Sequence, residues 1–226
     1  MDETENRPLF IFPRWANYAL PGFVMFVLGA ALYVPTVVSF GFSPKTTDVG
    51  YQPVQPIPYS HALHVGELGM DCRYCHTTVE TAPFAALPAT QTCMNCHASI
   101  KSESPSLAAL RTSWTNGTSV PWIKIHDLPD YAYFNHSAHV DKGVGCVVCH
   151  GRVDQMEQVY QAKTLSMAWC LDCHRAPEKY IRPKNEVTNM SYVPAGNDQL
   201  AVGRELKKEY GIRDTTYMTS CSTCHR

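Results

Sequence analysis

One long apolar run lies near the N-terminus of the chain. Residues 15–44 contain no Asp, Glu, Lys or Arg, and residues 21–34 are almost continuously apolar. About 20 apolar residues span a bilayer, so the pattern predicts a transmembrane anchor helix over residues 15–42. A cleaved secretory signal is the alternative, but the run is long for a signal and no clear Ala-x-Ala cleavage site follows it.

Beyond this run the periodic pattern is weak. Residues 43–60 contain four prolines and are typical of an extended linker. A Ser-Pro start and an Asn-Gly end predict a helix over residues 105–116. Residues 198–210 carry apolar positions at helical spacing and predict an amphipathic helix that ends at Gly211. The rest of the chain is predicted to be coil with short helices.

The composition argues against a large core of side chains. The 226 residues include 16 prolines and 13 glycines, which interrupt long helices and strands. There are 19 Lys+Arg against 20 Asp+Glu, for a formal net charge of −1. No basic patch therefore suggests a nucleic acid partner, and something other than side chains is expected to fill the interior.

All ten cysteines of the chain lie in five Cys-x-x-Cys-His units. The cysteines are Cys72, Cys75, Cys93, Cys96, Cys146, Cys149, Cys170, Cys173, Cys221 and Cys224, and the histidines that follow them are His76, His97, His150, His174 and His225. This unit is the attachment motif of c-type haem. Two thiols at this spacing reach the two vinyl groups of one porphyrin, and the next residue places an imidazole on the iron.

Zinc sites and disulfides are the alternatives to haem. The first two cysteine pairs are separated by 17 residues and the third and fourth by 20, which suits a Cys₄ zinc site. Neither alternative requires a histidine after every second cysteine, and zinc leaves the fifth pair unexplained. The sequence therefore predicts five haem c groups.

An internal repeat organises the external part of the chain. A His-x-x-His pair, a haem motif seven or eight residues later and a second haem motif recur in residues 61–97 and 126–174. The repeat predicts a duplicated two-haem module. The fifth motif, at residues 221–225, lies outside both modules.

Five histidines remain as candidate sixth ligands of the five irons. They are His61, His64, His126, His136 and His139. Residues i and i+3 share one face of a helical turn, so the two imidazoles of each His-x-x-His pair can bind two different irons. His126 is unpaired and completes the count, although a structural role is its alternative. Methionine ligands are the rivals, and Met156, Met167 and Met218 lie close to haem motifs.

The predicted fold is mainly coil with short α-helices wrapped around five stacked c-type haems, with one N-terminal transmembrane helix. Residues 1–14 are expected to be a cytoplasmic tail, 15–42 the anchor, 43–60 the linker and 61–226 the pentahaem domain. Roughly 35 residues per haem are too few for a conventional core, so the porphyrins themselves must form it. Arginines and a lysine beside the motifs are candidate partners of the haem propionates. They are Arg73, Arg152, Arg175, Arg226 and Lys142.

Two segments carry a family resemblance. Residues 126–154 read HDLPDYAYFNHSAHVDKGVGCVVCHGRVD and residues 165–175 read LSMAWCLDCHR. With five motifs and one N-terminal helix, the chain resembles the class III-like multihaem cytochromes, and in particular the pentahaem subunit of alternative complex III, a bacterial quinol:electron-acceptor oxidoreductase.

This resemblance implies an electron-transfer subunit that is not itself an enzyme and relays electrons towards a soluble cytochrome c or copper protein. It implies as partners an iron–sulfur subunit related to molybdopterin enzymes, polytopic quinol-binding membrane subunits and a monohaem cytochrome c. It also implies that His61 and His136 serve the haems of the motifs that follow them, while His64 and His139 reach other haems. Covalent haem attachment occurs outside the bacterial cytoplasm, so the haem domain is expected on the periplasmic side of the plasma membrane.

Two other functions compete with this one. A self-contained, membrane-anchored multihaem quinol dehydrogenase needs a haem close to the membrane, whereas about 30 residues separate the anchor from Cys72. A multihaem reductase of small oxyanions needs an iron with an open position, whereas the chain offers a full set of distal histidines.

Overall fold

The structure is a computed structural model that describes residues 12–41 and 48–225. The chain divides into two compact units, residues 1–46 and 47–226. The first unit holds the apolar run and the second holds all five Cys-x-x-Cys-His motifs. We describe each unit by itself.

The apolar run of the first unit is a single long helix. A 3₁₀ turn at Arg14–Tyr18 leads into α1, Ala19–Gly41, and its apolar side chains are exposed. The helix continues through Pro35, and Thr36 Oγ1 donates to the carbonyl of Leu32 at 2.7 Å. Within the described residues this is one helix long and apolar enough to cross a membrane. The last predicted anchor residue and most of the predicted tail lie outside the described residues.

The second unit consists of short helices joined by coil. Its α-helices are α2 Cys72–Cys75, α3 Thr90–His97, α4 Ala108–Asn116, α5 His136–Val140, α6 Cys146–His150, α7 Met167–Arg175, α8 Gln199–Glu209, α9 Thr215–Met218 and α10 Cys221–Cys224. A π-helical turn lies at Ala62–Glu67, and 3₁₀ turns lie at Pro105–Leu107, Val153–Gln155, Pro177–Lys179, Lys184–Glu186 and Ala195–Asn197. In the described part of the chain, β-structure amounts to an isolated antiparallel bridge between Val144 and Ile181. The prediction of helix and coil is confirmed.

Both helices predicted outside the motifs are present. The 3₁₀ turn Pro105–Leu107 runs into α4, which ends at Gly117 in the left-handed conformation, with φ 63°. Ser104 precedes the turn but makes no side-chain capping bond. Asp198 caps α8 by accepting a hydrogen bond from the N–H of Ala201 at 2.9 Å.

The described part of the predicted linker, residues 48–60, begins with a turn and continues mostly without regular structure, and it is hydrogen-bonded to the rest of the second unit. Gly50 N–H donates to the carbonyl of Gln161 at 2.9 Å, and Gln161 N–H donates to the carbonyl of Tyr51 at 3.1 Å. The side chain of Gln52 donates to the carbonyl of Gln158 at 2.7 Å. This segment is therefore part of the folded unit.

Apolar side chains form only a sparse core. Those buried among the described residues are Ile57, Leu110, Met156, Ile181, Val187, Met190 and Leu206. One well-packed contact joins α8 to the 3₁₀ turn at Pro177–Lys179, where Gly203 lies directly against the carbonyl of Glu178. These are few buried apolar side chains for the core of a domain of this length.

Candidate haem sites

Each Cys-x-x-Cys-His motif lies on a short helix. In α2, α6 and α10 the first cysteine is also the first residue of the helix, whereas the second and fourth motifs lie inside α3 and α7. Asp71 starts α2 by accepting a hydrogen bond from Arg73 N–H at 2.8 Å. All ten cysteines are unpaired. One helical turn places both thiols and the following imidazole of a motif side by side, as attachment to one porphyrin requires.

Main-chain carbonyl groups orient most of the motif histidines. The Nδ1 atom of His76 lies 2.9 Å from the carbonyl of Ala86, that of His97 2.9 Å from Ile100, that of His174 2.8 Å from Met218, and that of His225 2.9 Å from Tyr131. A hydrogen bond at Nδ1 fixes the tautomer that leaves Nε2 free to bind a metal. The carbonyl also fixes the orientation of the ring.

The two His-x-x-His pairs have the same geometry. Tyr59 contacts His61 edge to face, with ring centroids 4.8 Å apart, and stacks on His64 at 4.4 Å. In the second module Phe134 makes the same contacts, at 4.7 Å and 4.5 Å, with the first and second histidines of its pair. The Nδ1 atoms of the two second histidines, His64 and His139, face the carbonyls of Ser60 and Asn135 at 2.8 and 2.7 Å. The repeat in the sequence is thus also a repeat in structure.

Three distal histidines face motif histidines at a constant spacing. Ring centroids are 6.3 Å apart for His64 and His97, 6.1 Å for His139 and His174, and 6.4 Å for His136 and His150. A metal–imidazole bond is about 2 Å long, so two imidazoles on opposite sides of one iron have centroids roughly 6 Å apart. The spacing matches two axial ligands of one iron.

His61 is placed for the equivalent pairing in the first module. It is half-buried, and desolvation together with the neighbouring His76 lowers its pKa to about 4. The Nδ1 atom of His61 is buried without a hydrogen-bond partner. By the repeat, His61 and His76 correspond to His136 and His150.

His126 is placed differently from the other four candidates. Its ring lies edge to face against that of His150, with centroids only 4.4 Å apart, which is too short for an iron between them. Its Nε2 atom is buried without a partner, and burial, followed by the charge of His136, lowers its pKa. The fifth motif docks nearby, because Tyr133 N–H donates to the carbonyl of Cys224 at 2.8 Å. That His126 is the fifth distal ligand therefore stays a prediction.

The three methionines near motifs differ in environment. Met156 is buried, and its methyl group lies near Gly151. Met167 is 63% exposed, and Met218 offers its main-chain carbonyl to His174. Met156 thus contributes to packing and Met218 to ligand orientation.

Thiols of different motifs are neighbours. Those close enough to interact are Cys93 with Cys75, Cys72 with Cys146, Cys149 with Cys173, and Cys170 with Cys224. Of these, Cys146 and Cys72 are joined by a hydrogen bond between their side chains. These contacts arrange the motifs in the order second, first, third, fourth, fifth, which differs from their order along the chain.

Several cations predicted near propionates also have protein partners, and their contact with propionates stays a prediction. Arg73 pairs with Asp71 at 2.8 Å, Arg152 with Asp154 at 2.6 Å, and Lys142 donates to the carbonyl of Tyr210 at 2.8 Å. Arg226 lies outside the described residues. The buried cation of this region is Arg182, which the sequence did not single out because no motif marks it.

The residues present fit haem c. The motif thiols are unpaired, the donor imidazoles oppose one another at an iron-compatible distance, and the core lacks side chains to fill it. Among the described residues no three His, Cys, Asp or Glu side chains form a group that could hold a metal ion by themselves. The donors come in opposed pairs, as two axial ligands do.

Comparison with known proteins agrees with this chemistry. The family of cytochrome c7 and related cytochrome c matches residues 132–226. The chain is also 31% identical over 155 residues to the multihaem cytochrome c subunit of menaquinone reductase from Nitratidesulfovibrio vulgaris strain Hildenborough. That alignment covers 59% of this chain and 73% of the relative.

Proposed function

The chain belongs to the multihaem cytochromes c, and on this premise we propose that it is the electron-transfer subunit of a membrane quinone/quinol oxidoreductase complex. The observation that carries the proposal is the series of opposed histidine pairs at 6.1–6.4 Å beside unpaired Cys-x-x-Cys thiols. Haem c supplies reversible one-electron transfer at its iron. On the resemblance of the sequence, chemistry on quinone is assigned to partner subunits.

Five haem c groups are proposed, one for each motif. The motif cysteines attach the porphyrins and His76, His97, His150, His174 and His225 are the proximal ligands. We assign the distal positions as His61 opposite His76, His64 opposite His97, His136 opposite His150 and His139 opposite His174. Because the other four candidate histidines are assigned, His126 is left as the distal ligand of the fifth haem, at His225.

The residues of the chain do three things for these groups. Main-chain carbonyls hold the imidazole rings with Nε2 free. Burial lowers the pKa of His61 to about 4 and also lowers that of His139. It thereby favours the neutral form of these two imidazoles, and only a neutral imidazole binds iron. Finally, contacts between thiols of different motifs determine which haem sites are neighbours. In the resulting order of sites, the second and fifth motifs lie at the two ends.

The complex that we propose is alternative complex III or a close relative of it. The resemblance of the sequence and its five motifs support this assignment. The partners are then an iron–sulfur/molybdopterin-like subunit, polytopic quinol-binding membrane subunits and a monohaem cytochrome c, with a soluble cytochrome or copper protein as acceptor. The apolar helix Ala19–Gly41 supports a single membrane crossing, with the haem domain on the periplasmic side.

A second candidate reverses the direction of electron flow. The relative from Nitratidesulfovibrio vulgaris is a subunit of a menaquinone reductase, which favours a role in passing electrons towards quinone. The haem sites are the same in both cases, so only the direction differs. The name of this relative also describes a subunit, which weighs against the self-contained quinol dehydrogenase.

The test is purification of the tagged full-length chain from its membrane in mild detergent. We expect polytopic and iron–sulfur subunits to copurify, and the intact mass of the acid-denatured chain to show five added haems. A quinol should reduce the haems in the purified complex but not in the isolated chain, whereas a menaquinone analogue should oxidise the reduced haems if the second candidate is correct. Quinol oxidation by the isolated chain, or fewer than five haems, would contradict the proposal.

A further inference from the structure

Arg182 is a buried cation without a carboxylate partner. Its side chain is 8% exposed, and its Nη1 donates to the main-chain carbonyl of Asn189 at 2.9 Å. Its Nε atom is buried without a hydrogen-bond partner, and its guanidinium lies 5.0 Å from the centre of the Tyr192 ring. Among the ion pairs of the described residues none includes Arg182. A buried charge of this kind is costly unless something else in the site compensates it.

The charge lies against the third haem motif. A Cβ atom at Gly145 would overlap the Arg182 guanidinium, and Gly145 directly precedes Cys146. Main-chain hydrogen bonds hold the two segments together, from Arg182 N–H to the carbonyl of Gly143 at 2.8 Å and from Cys146 N–H to the carbonyl of Val187 at 3.0 Å. The position of the cation relative to the motif is therefore fixed by the backbone.

One acidic side chain lies close enough to interact with this cation. Glu186 interacts with the charge of Arg182 without forming an ion pair with it, and its carboxylate accepts hydrogen bonds from the side-chain amides of Asn185 at 3.3 Å and Asn189 at 2.7 Å. The other polar groups that interact with Arg182 are Tyr192 and Cys146. The thiol of Cys146 would become an uncharged thioether on haem attachment, so the positive charge would be offset only by Glu186, at longer range than an ion pair.

We propose that Arg182 raises the reduction potential of the haem held by Cys146, Cys149 and His150. The inference rests on the proposed function, because it requires haem at the third motif. Reduction adds one electron at the iron and lowers the positive charge of the site. A nearby buried cation destabilises the more positive ferric form more than the ferrous form, and burial prevents solvent from screening the effect. Arg182 is thus a residue that sets a potential without binding iron.

The test compares Arg182→Met and Arg182→Lys with a matched control, Arg213→Met, in the detergent-purified full-length chain. Arg213 also lies over a tyrosine ring, 4.0 Å from the centre of Tyr217, but it is exposed. Midpoint potentials are measured by optical redox titration, and haem content is measured by intact mass. We expect Arg182→Met to shift the reduction equilibrium of one haem about tenfold towards the ferric form. This shift lowers the midpoint potential of that haem by about 59 mV for one electron. Arg182→Lys should keep this midpoint potential close to that of the unmutated chain, and Arg213→Met should leave all midpoint potentials unchanged.

A second neutral variant, Arg182→Gln, controls for loss of packing in Arg182→Met. Its side-chain amide can still donate to the main-chain carbonyl of Asn189, the acceptor of the Arg182 hydrogen bond, but it carries no charge, so it should lower the same midpoint. If Arg182→Met binds five haems with unchanged midpoints, or if Arg182→Lys lowers the midpoint as far as Arg182→Met does, the inference is wrong. If Arg182→Met loses haem, an unchanged midpoint in Arg182→Gln overturns the inference. Fewer than five haems in the unmutated chain would instead overturn the haem assignment itself.

Discussion

A histidine that binds iron through Nε2 is usually oriented by a hydrogen bond at its other ring nitrogen. In this chain the acceptors are main-chain carbonyls, such as that of Met218 for His174 and that of Asn135 for His139. No side-chain substitution at the accepting residue removes such an acceptor. The ring orientation therefore depends on the local backbone, and the ligands themselves are the positions that mutation can disturb.

Of the proposed distal ligands, His126 is the one whose assignment most needs a test. Because the five proposed haems need five distal ligands, replacing His126 with Ala should convert one low-spin haem to high-spin, seen in the absorption and electron paramagnetic resonance spectra. His139→Ala is the matched comparison, because the ring of His139 faces that of His174 at 6.1 Å. If His126→Ala keeps five unperturbed low-spin haems, and the ferric protein shows a methionine-to-iron charge-transfer band, His126 is structural and a methionine is the ligand.

The residues of the site divide into those that the sequence predicts and those that only the fold reveals. Cys72 and His76 are predictable because attachment of one haem constrains five consecutive residues. Tyr59, Phe134 and Arg182 have no such local pattern. Tyr59 lies two residues before the first histidine of its pair, and its contact with His61 and His64 is visible only from the path of the backbone.

At the scale of elements, glycines permit the closest contacts between segments. Gly203 of α8 lies against the carbonyl of Glu178, and a Cβ atom there would overlap that carbonyl group. On the same helix face, Lys207 pairs with Glu178 at 3.0 Å. This contact holds α8 on the segment that follows the fourth motif.

Replacing Gly203 with Ala should therefore separate α8 from the turn at Pro177–Lys179. We expect a loss of roughly 1–3 kcal/mol in the free energy of unfolding, as in other overpacked sites, measured by thermal or denaturant unfolding followed by circular dichroism. Glu205→Ala, at an exposed position of the same helix, is the control and should change the stability by less than about 0.5 kcal/mol. Equal stability of the two variants would show that the contact contributes nothing.

Elements with local signals were predictable, and those that depend on distant contacts were not. The helix α8 begins at the capping Asp198 and the sequence marks its end with Gly211, so its bounds follow from neighbouring residues. The π-helical turn at Ala62–Glu67 has no such signal. Ala62 N–H donates to the carbonyl of Met156 at 3.0 Å, and Gly66 lies against the carbonyl of Asp154. Both partners are about ninety residues away, and the sequence alone could not bring them together.

At the scale of the whole molecule, anchoring and haem binding are carried by different segments. Residues 1–47 contain no cysteine and no histidine, so they supply no haem ligand of either kind. Every opposed histidine pair and every thiol contact lies within the second unit. We therefore expect the second unit to take up its haems without the apolar helix.

The corresponding experiment exports residues 45–226 with a cleavable secretion signal. This fragment should be recovered in the soluble periplasmic fraction with five covalent haems and the same low-spin spectrum as the full-length chain. The full-length chain, expressed in parallel without partner subunits, should fractionate with the membranes. Membrane retention of the fragment, or an incomplete haem spectrum, would assign a further role to residues 1–44.

The contact between Cys72 and Cys146 has a consequence for biogenesis. These thiols come from different modules, 74 positions apart in the sequence, and they lie within hydrogen-bonding distance in the folded chain. In an oxidising compartment two such thiols can form a disulfide that would close off both attachment sites at once. We therefore expect maturation to depend on timing. If both motifs bind haem as proposed, ligation at either one should precede the approach of the two modules. Thioether formation would then commit the chain to its native form, and a delay in haem supply would yield a crosslinked, haem-deficient species.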